Sequence, residues 1–376
     1  MNTYDFIHKL PAFIRWTAFE WCGKFLLGGR NYGLLAGMRA IEDVSFGVQL
    51  PVIENRLLKR IKINESQIVN YGFPDSYPVW FPRENAFESK WGYLFSHCRV
   101  DPRFGTVSTV DEHNKPDLML VRSLIGFEVF MQGGMYEGMM PAKKQLEKKT
   151  VFPFASCFAY YHELVEVMLS ALQARDWQPQ MKILIHPQHP RYVDDMLKFF
   201  GFSAEDVLES SYPVDVEACI VIPHWQQRSA ISMSDAVYLR ERIYERIKID
   251  VPSEKVYVSR RRAPSRSLRN EAELEDCLRS EGFRICYFEE MSVVEQFETI
   301  AKAKTIVAVH GSGLANLVSA QKGTRVVEII SPEWRRSTFA RLSAELGLNY
   351  SFLEAEEQGD GRFAVSVDSV IKAINR

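Results

Sequence analysis

The pattern of apolar and polar positions is sharpest between residues 255 and 330. Lys255 to Ser259 (KVYVS) is a short apolar run bounded by charge, and it reads as a buried strand, as do Arg284 to Phe288, Thr305 to Val309 and Arg325 to Ile330. Between these runs the apolar spacing lengthens to the helical period. Asn270 and Glu273 predict an N-cap and its capping-box partner for a helix over 271–281, which Gly282 ends. Ser292 and Glu295 repeat the device before a helix over 293–303, and 312–320 predicts a third helix. Four strands alternating with three helices predict a parallel, Rossmann-like sheet.

The same alternation holds more loosely from 155 to 223. Residues 158–174 predict an amphipathic helix, Lys182 to His186 a strand, and Arg191 to Phe200 a helix stopped by Gly201. Val216 to Ile222 predicts a further strand ended by Pro223. A helix from Ser234, its expected cap, to Ile247 bridges the two regions. The chain therefore divides into an N-terminal domain over 1–235, a C-terminal domain over 236–350 and a return segment over 351–376. The last helix, 366–374, is expected to pack back on the first domain.

Periodicity is poor from about 40 to 150. Gln67 to Tyr71, Leu118 to Val121 and Phe127 to Phe130 are short β-like pieces. Tyr77-Pro78-Val79-Trp80-Phe81-Pro82 is extended or turn-like, because each proline restricts itself and its predecessor. No chemistry is assigned to this region, although irregular segments often build acceptor surfaces. Residues 1–28 are aromatic-rich and amphipathic, with Phe6, Phe13, Trp16, Phe19, Trp21 and Phe25 among Lys9, Arg15 and Lys24. Such a helix packs on its own domain or lies in a membrane interface.

Composition narrows the function classes. The 376 residues carry a formal net charge of -2, which argues against nucleic-acid binding by bulk electrostatics. The six cysteines form no CxxC pair and no metal-ligand spacing, which fits a reducing cytoplasm. No apolar stretch is long enough to span a bilayer. His186, His189 and His224 lie near strand ends and lack the helical spacing of a zinc site, so no metal centre is expected.

Candidate chemistry gathers at strand ends. Arg260 and Arg266 follow the first strand of the sharp region and can bring planar, permanently charged forks to a diphosphate. His310-Gly311-Ser312-Gly313 follows the third strand, where glycines let the backbone approach a ligand and a helix start offers N–H groups to an anion. Ser312 adds a hydroxyl and Asn316 an amide. Glu328 lies in an apolar strand, so it needs a partner: a ribose diol, Arg260 or another structural cation. His162 and Glu166 share one helical face and can orient one another for general-base work, though Glu163 lies close by. The Gly311-Ser312-Gly313 turn lacks the third glycine of a dinucleotide fingerprint and stands at the wrong strand for one, which speaks against a dehydrogenase.

YVSRRRAPSRSLRNEAEL, the MSVVEQ segment, AVHGSGLANLVSA and GTRVVEI, in this order and spacing, resemble glycosyltransferase family 61, and His162-Glu163-Leu164-Val165-Glu166 corresponds to the family's H-x-x-x-acid helix motif. Bacterial members of that family occur in capsule and lipopolysaccharide assembly. The resemblance is strong over 255–350, recognisable over 155–225 and absent over 1–150. It implies a GT-B-like α/β fold with two Rossmann-like domains facing a cleft, a nucleotide-sugar donor (UDP-sugars in eukaryotic relatives), inversion at the anomeric carbon and no metal or other cofactor. It implies a glycan or glycolipid acceptor, and a cytoplasmic enzyme that can touch the inner face of the membrane through residues 3–27. Under it Glu166 is the expected base, with His162 orienting it or binding the acceptor. The implied donor-binding residues are Ser259, Arg260, Arg266, Asn270, Glu271, His310, Gly311, Ser312, Gly313, Leu314, Asn316 and Glu328, with Glu328 on the ribose and Asn270 also needed as a helix cap. A polysaccharide pyruvyltransferase-like enzyme and a non-catalytic nucleotide- or glycan-binding subunit are the alternatives.

Overall fold

The computed structural model describes residues 57–87, 89–103, 105–110, 116–121, 144–156, 159–222, 231–263, 266–358 and 362–375. The amphipathic stretch 1–28, the β-like piece at 127–130 and His224 lie outside the described residues.

The first half builds an eight-stranded sheet. Its strands are Leu57–Asn64 (β1), then, after a separate hairpin of Gln67–Asn70 (β2) and Glu84–Phe87 (β3), Lys90–Asp101 (β4), Thr106–Val110 (β5), Pro116–Val121 (β6), Lys144–Phe154 (β7), Lys182–Ile185 (β8), Val207–Glu209 (β9) and Val214–Val221 (β10). The order is β6-β5-β4-β10-β7-β8-β9, with β1 also on β4. Strands β10, β7, β8 and β9 run parallel; the 155–223 pattern predicts β8 and β10 and a parallel sheet but not β7 or β9, and β4, β5, β6 and β1 join antiparallel. The first sheet is therefore mixed, not the Rossmann-like sheet expected. Its long central strand escapes a periodicity reading because it is buried on both faces and carries charge inside. Arg99 of β4 faces Asp215 of β10 across the ladder and grips it with two bonds of 2.6 and 2.8 Å. Both residues are buried, where only such pairing offsets desolvation.

The second half is a five-stranded, all-parallel sheet of Glu254–Val258 (β11), Arg284–Cys286 (β12), Ala303–Val309 (β13), Arg325–Ile330 (β14) and Asn349–Glu354 (β15). Its order is β12-β11-β13-β14-β15, so the winding reverses between β11 and β13. Ligands bind outside the carboxyl ends of strands at such a switch point. The pattern located the first four strands and missed β15.

Among the described residues seven α-helices pack around these sheets. The first, α1, runs through Tyr160–His162, a π-helical turn over Glu163–Met168, and Leu169–Trp177. The others are Arg191–Phe199 (α2), Met233–Tyr244 (α3), Glu271–Ser280 (α4), Val293–Ala301 (α5), Thr338–Leu346 (α6) and Val367–Asn375 (α7). The expected Ser292–Glu295 capping box closes α5. Two other caps differ from expectation. Ser232, not Ser234, caps α3, and the side chain of Asn270 ignores the start of α4 and pairs instead with both backbone groups of Val365. Helix α7 buries Val370 and Ile374 in the core of the second sheet, against the expectation that it returns to the first domain.

The two halves share one buried core rather than meeting only across solvent. Phe199 and Phe200 of the first half meet Phe297 of the second at ring separations of 5.1 and 6.3 Å, and Tyr161 meets Phe339 at 5.7 Å. An apolar junction of this kind opposes free domain motion. At its centre Asn316, fully buried, accepts from the Tyr160 hydroxyl at 2.7 Å and donates to Gln296 at 2.8 Å and to the Gly313 carbonyl at 3.0 Å. The hairpin segment also crosses over: Tyr77, Trp80 and Phe81 pack on Phe352 of β15.

Asn316→Ala strands the Tyr160 hydroxyl and the Gln296 amide oxygen in a dry interior. Each unsatisfied group costs roughly 1–3 kcal/mol, so urea unfolding should show a loss of about 2–4 kcal/mol. A change within about 0.5 kcal/mol would remove this network as the tie between the halves.

Candidate active site

Two cavities open at the carboxyl end of the second sheet and share the Arg266, Gly311 and Ser312 walls. The smaller, about 620 Å³, lies over the switch point. It is walled by Arg260 and the Gly311-Ser312-Gly313-Leu314 turn, with Tyr192, Phe288 and Met291 as apolar sides and Glu289, Glu290 and Asp195 at the rim. The larger, about 810 Å³, lies between the halves and takes in His162, His310, Trp80, Trp334 and Arg341.

The Arg260 loop is held from below by a buried carboxylate. Glu271 accepts from the Tyr257 and Ser259 hydroxyls at 3.0 Å each, from the Arg260 N–H at 2.6 Å and from the Leu268 N–H at 3.0 Å. Glu275, also buried, shares the single Ser259 hydroxyl proton with Glu271, at 2.8 Å, and accepts from the Tyr287 hydroxyl at 2.9 Å. The loop thus leaves β11 in a fixed direction, with Arg260 almost buried against the glycine turn. A Cβ on Gly311 would lie 2.9 Å from the Arg260 Cζ and closer still to a terminal nitrogen, so only glycine admits the guanidinium there. Burial, then the charge of Arg266, pull the pKa of Arg260 below its ordinary value. Two guanidiniums near enough to oppose one another's charge favour an anion beside them. Arg266 adopts a left-handed backbone (φ 61°), uncommon for a side-chain-bearing residue, and lies 4.9 Å over the Trp334 ring.

The larger cavity has two histidines, each backed by a carboxylate. His162 Nδ1 lies 2.9 Å from Glu166 Oε2, with His162 42% exposed and Glu166 14%. His162 lines the cavity and Glu166 stands behind it. Burial works against the charged ring, but the hydrogen bond and charge of Glu166, with Glu163 adding to them, outweigh it and hold the pKa of His162 above its ordinary value. Glu163 itself points into the core, where the Ser156 hydroxyl donates to it. The helix that carries these groups has its π turn here, a local distortion common at functional sites. His310 Nδ1 lies 2.5 Å from Glu328, whose other oxygen accepts from the Tyr350 hydroxyl at 2.5 Å.

The structure thus brings Arg260, Arg266, His310, Gly311, Ser312, Gly313 and Leu314 to the cavity walls, with His162 opposite. Other expected positions are committed elsewhere. Glu328 is fully buried with both oxygens engaged by His310 and Tyr350, so it is not available to a ribose. Glu271, Asn270 and Asn316 are tied to protein groups and are absent from both walls. Ser259 reaches the smaller cavity, but its hydroxyl is directed at Glu271 and Glu275. Glu166, the expected base, stands one residue back from the cavity, and His162 is the group in front. Trp80, Trp334, Arg335, Arg336 and Arg341 line the larger cavity without having been singled out in the sequence. The Trp334-Arg335-Arg336 loop follows β14 as Arg260-Arg261-Arg262 follows β11, and that repetition was the available signal. Trp80 lay in the proline-bounded aromatic run. Among the described residues no group of three or more His, Cys, Asp or Glu could hold a metal ion, and no helix is long and apolar enough to cross a membrane. His189 is bonded to Asp194 at 2.8 Å and to the His186 carbonyl at 2.7 Å.

Gly311→Ala should displace the Arg260 guanidinium while leaving the fold intact, since only a side-chain tip must move. The affinity for inorganic pyrophosphate, measured by calorimetry, should fall about tenfold, the loss of one charge-assisted contact. Unchanged affinity would exclude Arg260 from anion binding at the switch point.

Residues 143–327, just under half of the chain, match the sequence model of the family described as Glycosyltransferase 61. Over 63 residues the chain is 43% identical to a beta-1,2-xylosyltransferase of Oryza sativa subsp. japonica, covering 17% of this chain and 12% of the rice protein. Over 60 residues it is 40% identical to a beta-1,2-xylosyltransferase of Arabidopsis thaliana, covering 16% of this chain and 11% of that protein. The chain thus spans about an eighth of the length of these curated relatives. The segment from 143 to 327, which supplies the His162 helix, the Arg260 loop and the His310 turn, carries the likeness to glycosyltransferase 61.

Proposed function

We propose that this protein is an inverting glycosyltransferase that moves a sugar from a nucleotide-sugar donor to a hydroxyl of a glycan or glycolipid. The observation that carries the reading is the junction of two cavities: an arginine- and glycine-walled one at the switch point, and one walled by two carboxylate-backed histidines. The family match over the same segment supports it. In this reading the nucleoside occupies the smaller cavity, with its base against Tyr192, Phe288 and Met291. The diphosphate lies along Arg260, Arg266 and the Gly311 turn, and the sugar extends into the larger cavity.

His162 then acts as the base, reversing the roles suggested by the sequence. Its Nδ1 is held by Glu166, which leaves Nε2 to take the proton of the acceptor hydroxyl. As that oxygen attacks the anomeric carbon, the bond from carbon to diphosphate breaks, and the electron pair leaves with the diphosphate. Arg260 and Arg266 stabilise the charge that grows there, so the reading requires no metal ion. Glu166 stabilises the imidazolium that forms. Glu328, itself held by the Tyr350 hydroxyl, fixes the ring of His310 at the wall of the larger cavity beside the Gly311 turn. The donor is a UDP-sugar in this reading, and the activity named for the plant relatives puts xylose first among the sugars to be screened.

The test is a thermal-unfolding and hydrolysis screen of nucleotide sugars, with phosphoenolpyruvate alongside, because a ligand bound only by the folded state raises its stability. Protection by phosphoenolpyruvate and by no nucleotide would overturn the proposal in favour of a pyruvyl transfer. With the active donor, His162→Ala should lower kcat by about 10²–10⁴-fold, the usual contribution of a general base. The base works deprotonated, so activity rises as pH passes upward through its pKa, which Glu166 holds above the ordinary histidine value. Glu166→Gln should therefore shift the acid limb of the kcat profile to lower pH. An unmoved limb in that variant would exclude the pair as the titrating base.

A further inference from the structure

The larger cavity has a charge pattern that a donor diphosphate does not use up. Among the described residues its lining contains four arginines, two histidines and no aspartate or glutamate. The chain as a whole has a net charge of -2, so this excess is local. Arg266 borders both cavities and serves the diphosphate in the proposed reading. Arg335 is neutralised by Glu354 through bonds of 3.0 and 3.2 Å. Arg336, exposed at the rim, makes no ion pair among the described residues. Arg341 lies beside the buried Glu345 on α6, so it is set apart from the cations at the rim. Trp334, 43% exposed, stands beside Arg336, and Trp80 lies across the cavity. Flat aromatic faces of this kind pack against the apolar face of a sugar ring.

We infer that the acceptor saccharide is anionic and carries a carboxylate or phosphate that Arg336 receives on the acceptor side of the larger cavity. This inference rests on the reading of the two cavities as donor and acceptor sides of a transferase. A cavity wall that carries arginines without neighbouring acids has a positive potential that draws anions toward it. Arginine forms bidentate bonds to either group, so the geometry fixes the charge class and leaves the choice of carboxylate or phosphate to experiment.

The test uses the full chain, with and without the nucleotide diphosphate that the screen selects. Glucuronic acid, glucose 6-phosphate and glucose are titrated separately by calorimetry or ligand-observed magnetic resonance. One or both acidic sugars should bind at least about tenfold more tightly than glucose, the scale of one charge-assisted contact, and their order tells carboxylate from phosphate. Arg336→Gln should remove that preference and leave nucleotide affinity within about twofold. Because Arg336 is exposed, the variant should fold, which circular dichroism checks. Equal binding of acidic and neutral sugars overturns the inference. So does Arg336→Gln weakening the nucleotide as much as the sugar, since the arginine would then belong to the donor. Failure of every nucleotide to bind strikes the transferase reading instead, and the titrations without nucleotide still report whether the cavity prefers anionic sugars.

Discussion

A carboxylate removed from water must be surrounded by donors, and Glu271 is the point where this requirement shapes the molecule. Its side chain collects two hydroxyls and the backbone N–H groups of Arg260 and Leu268. Those bonds set the direction in which the chain leaves β11 and therefore where Arg260 and Arg266 arrive. Glu328 has the same effect in β14, fixing His310 and Tyr350. Buried hydrogen-bond networks are costly unless complete, and when complete they make a loop single-valued.

The arrangement separates charge by depth. Glu163, Glu271, Glu275 and Glu328 lie in the interior, while Arg266, Arg335 and Arg336 reach the cavity walls. Glu271 and Glu328 are satisfied from inside the protein, so they do not cancel the cationic surface that a phosphate-bearing ligand would meet. Gly311 is where the two levels touch, because its missing side chain is the space that Arg260 occupies.

The shared core gives this charge pattern a rigid mount. His162 comes from α1 and His310 from the end of β13, yet Asn316 bonds Tyr160, two residues from His162, within six residues of His310. The two walls of the larger cavity are thus referenced to one buried side chain. The aromatic hairpin adds a third wall by laying Trp80 against β15.

The sequence by itself determined four of the five strands of the second sheet, their strand-end loops and the cationic, glycine-rich character of those loops, because these depend on local period, caps and side-chain type. It also placed His162 and Glu166 on one face, because four residues of helix bring side chains together wherever the helix packs. It did not determine which of that pair meets the cavity, since facing is a property of the surroundings. Nor did it separate ligand-facing from buried polar groups: Glu271, Asn316 and Glu328 look like binding residues in the motifs, and only the folded chain supplies the partners that consume them. The mixed first sheet was illegible because β4 is buried on both faces and keeps Arg99 inside through a partner 116 residues away. Periodicity records one neighbour, water or core, and pairing across the chain is decided only by tertiary structure.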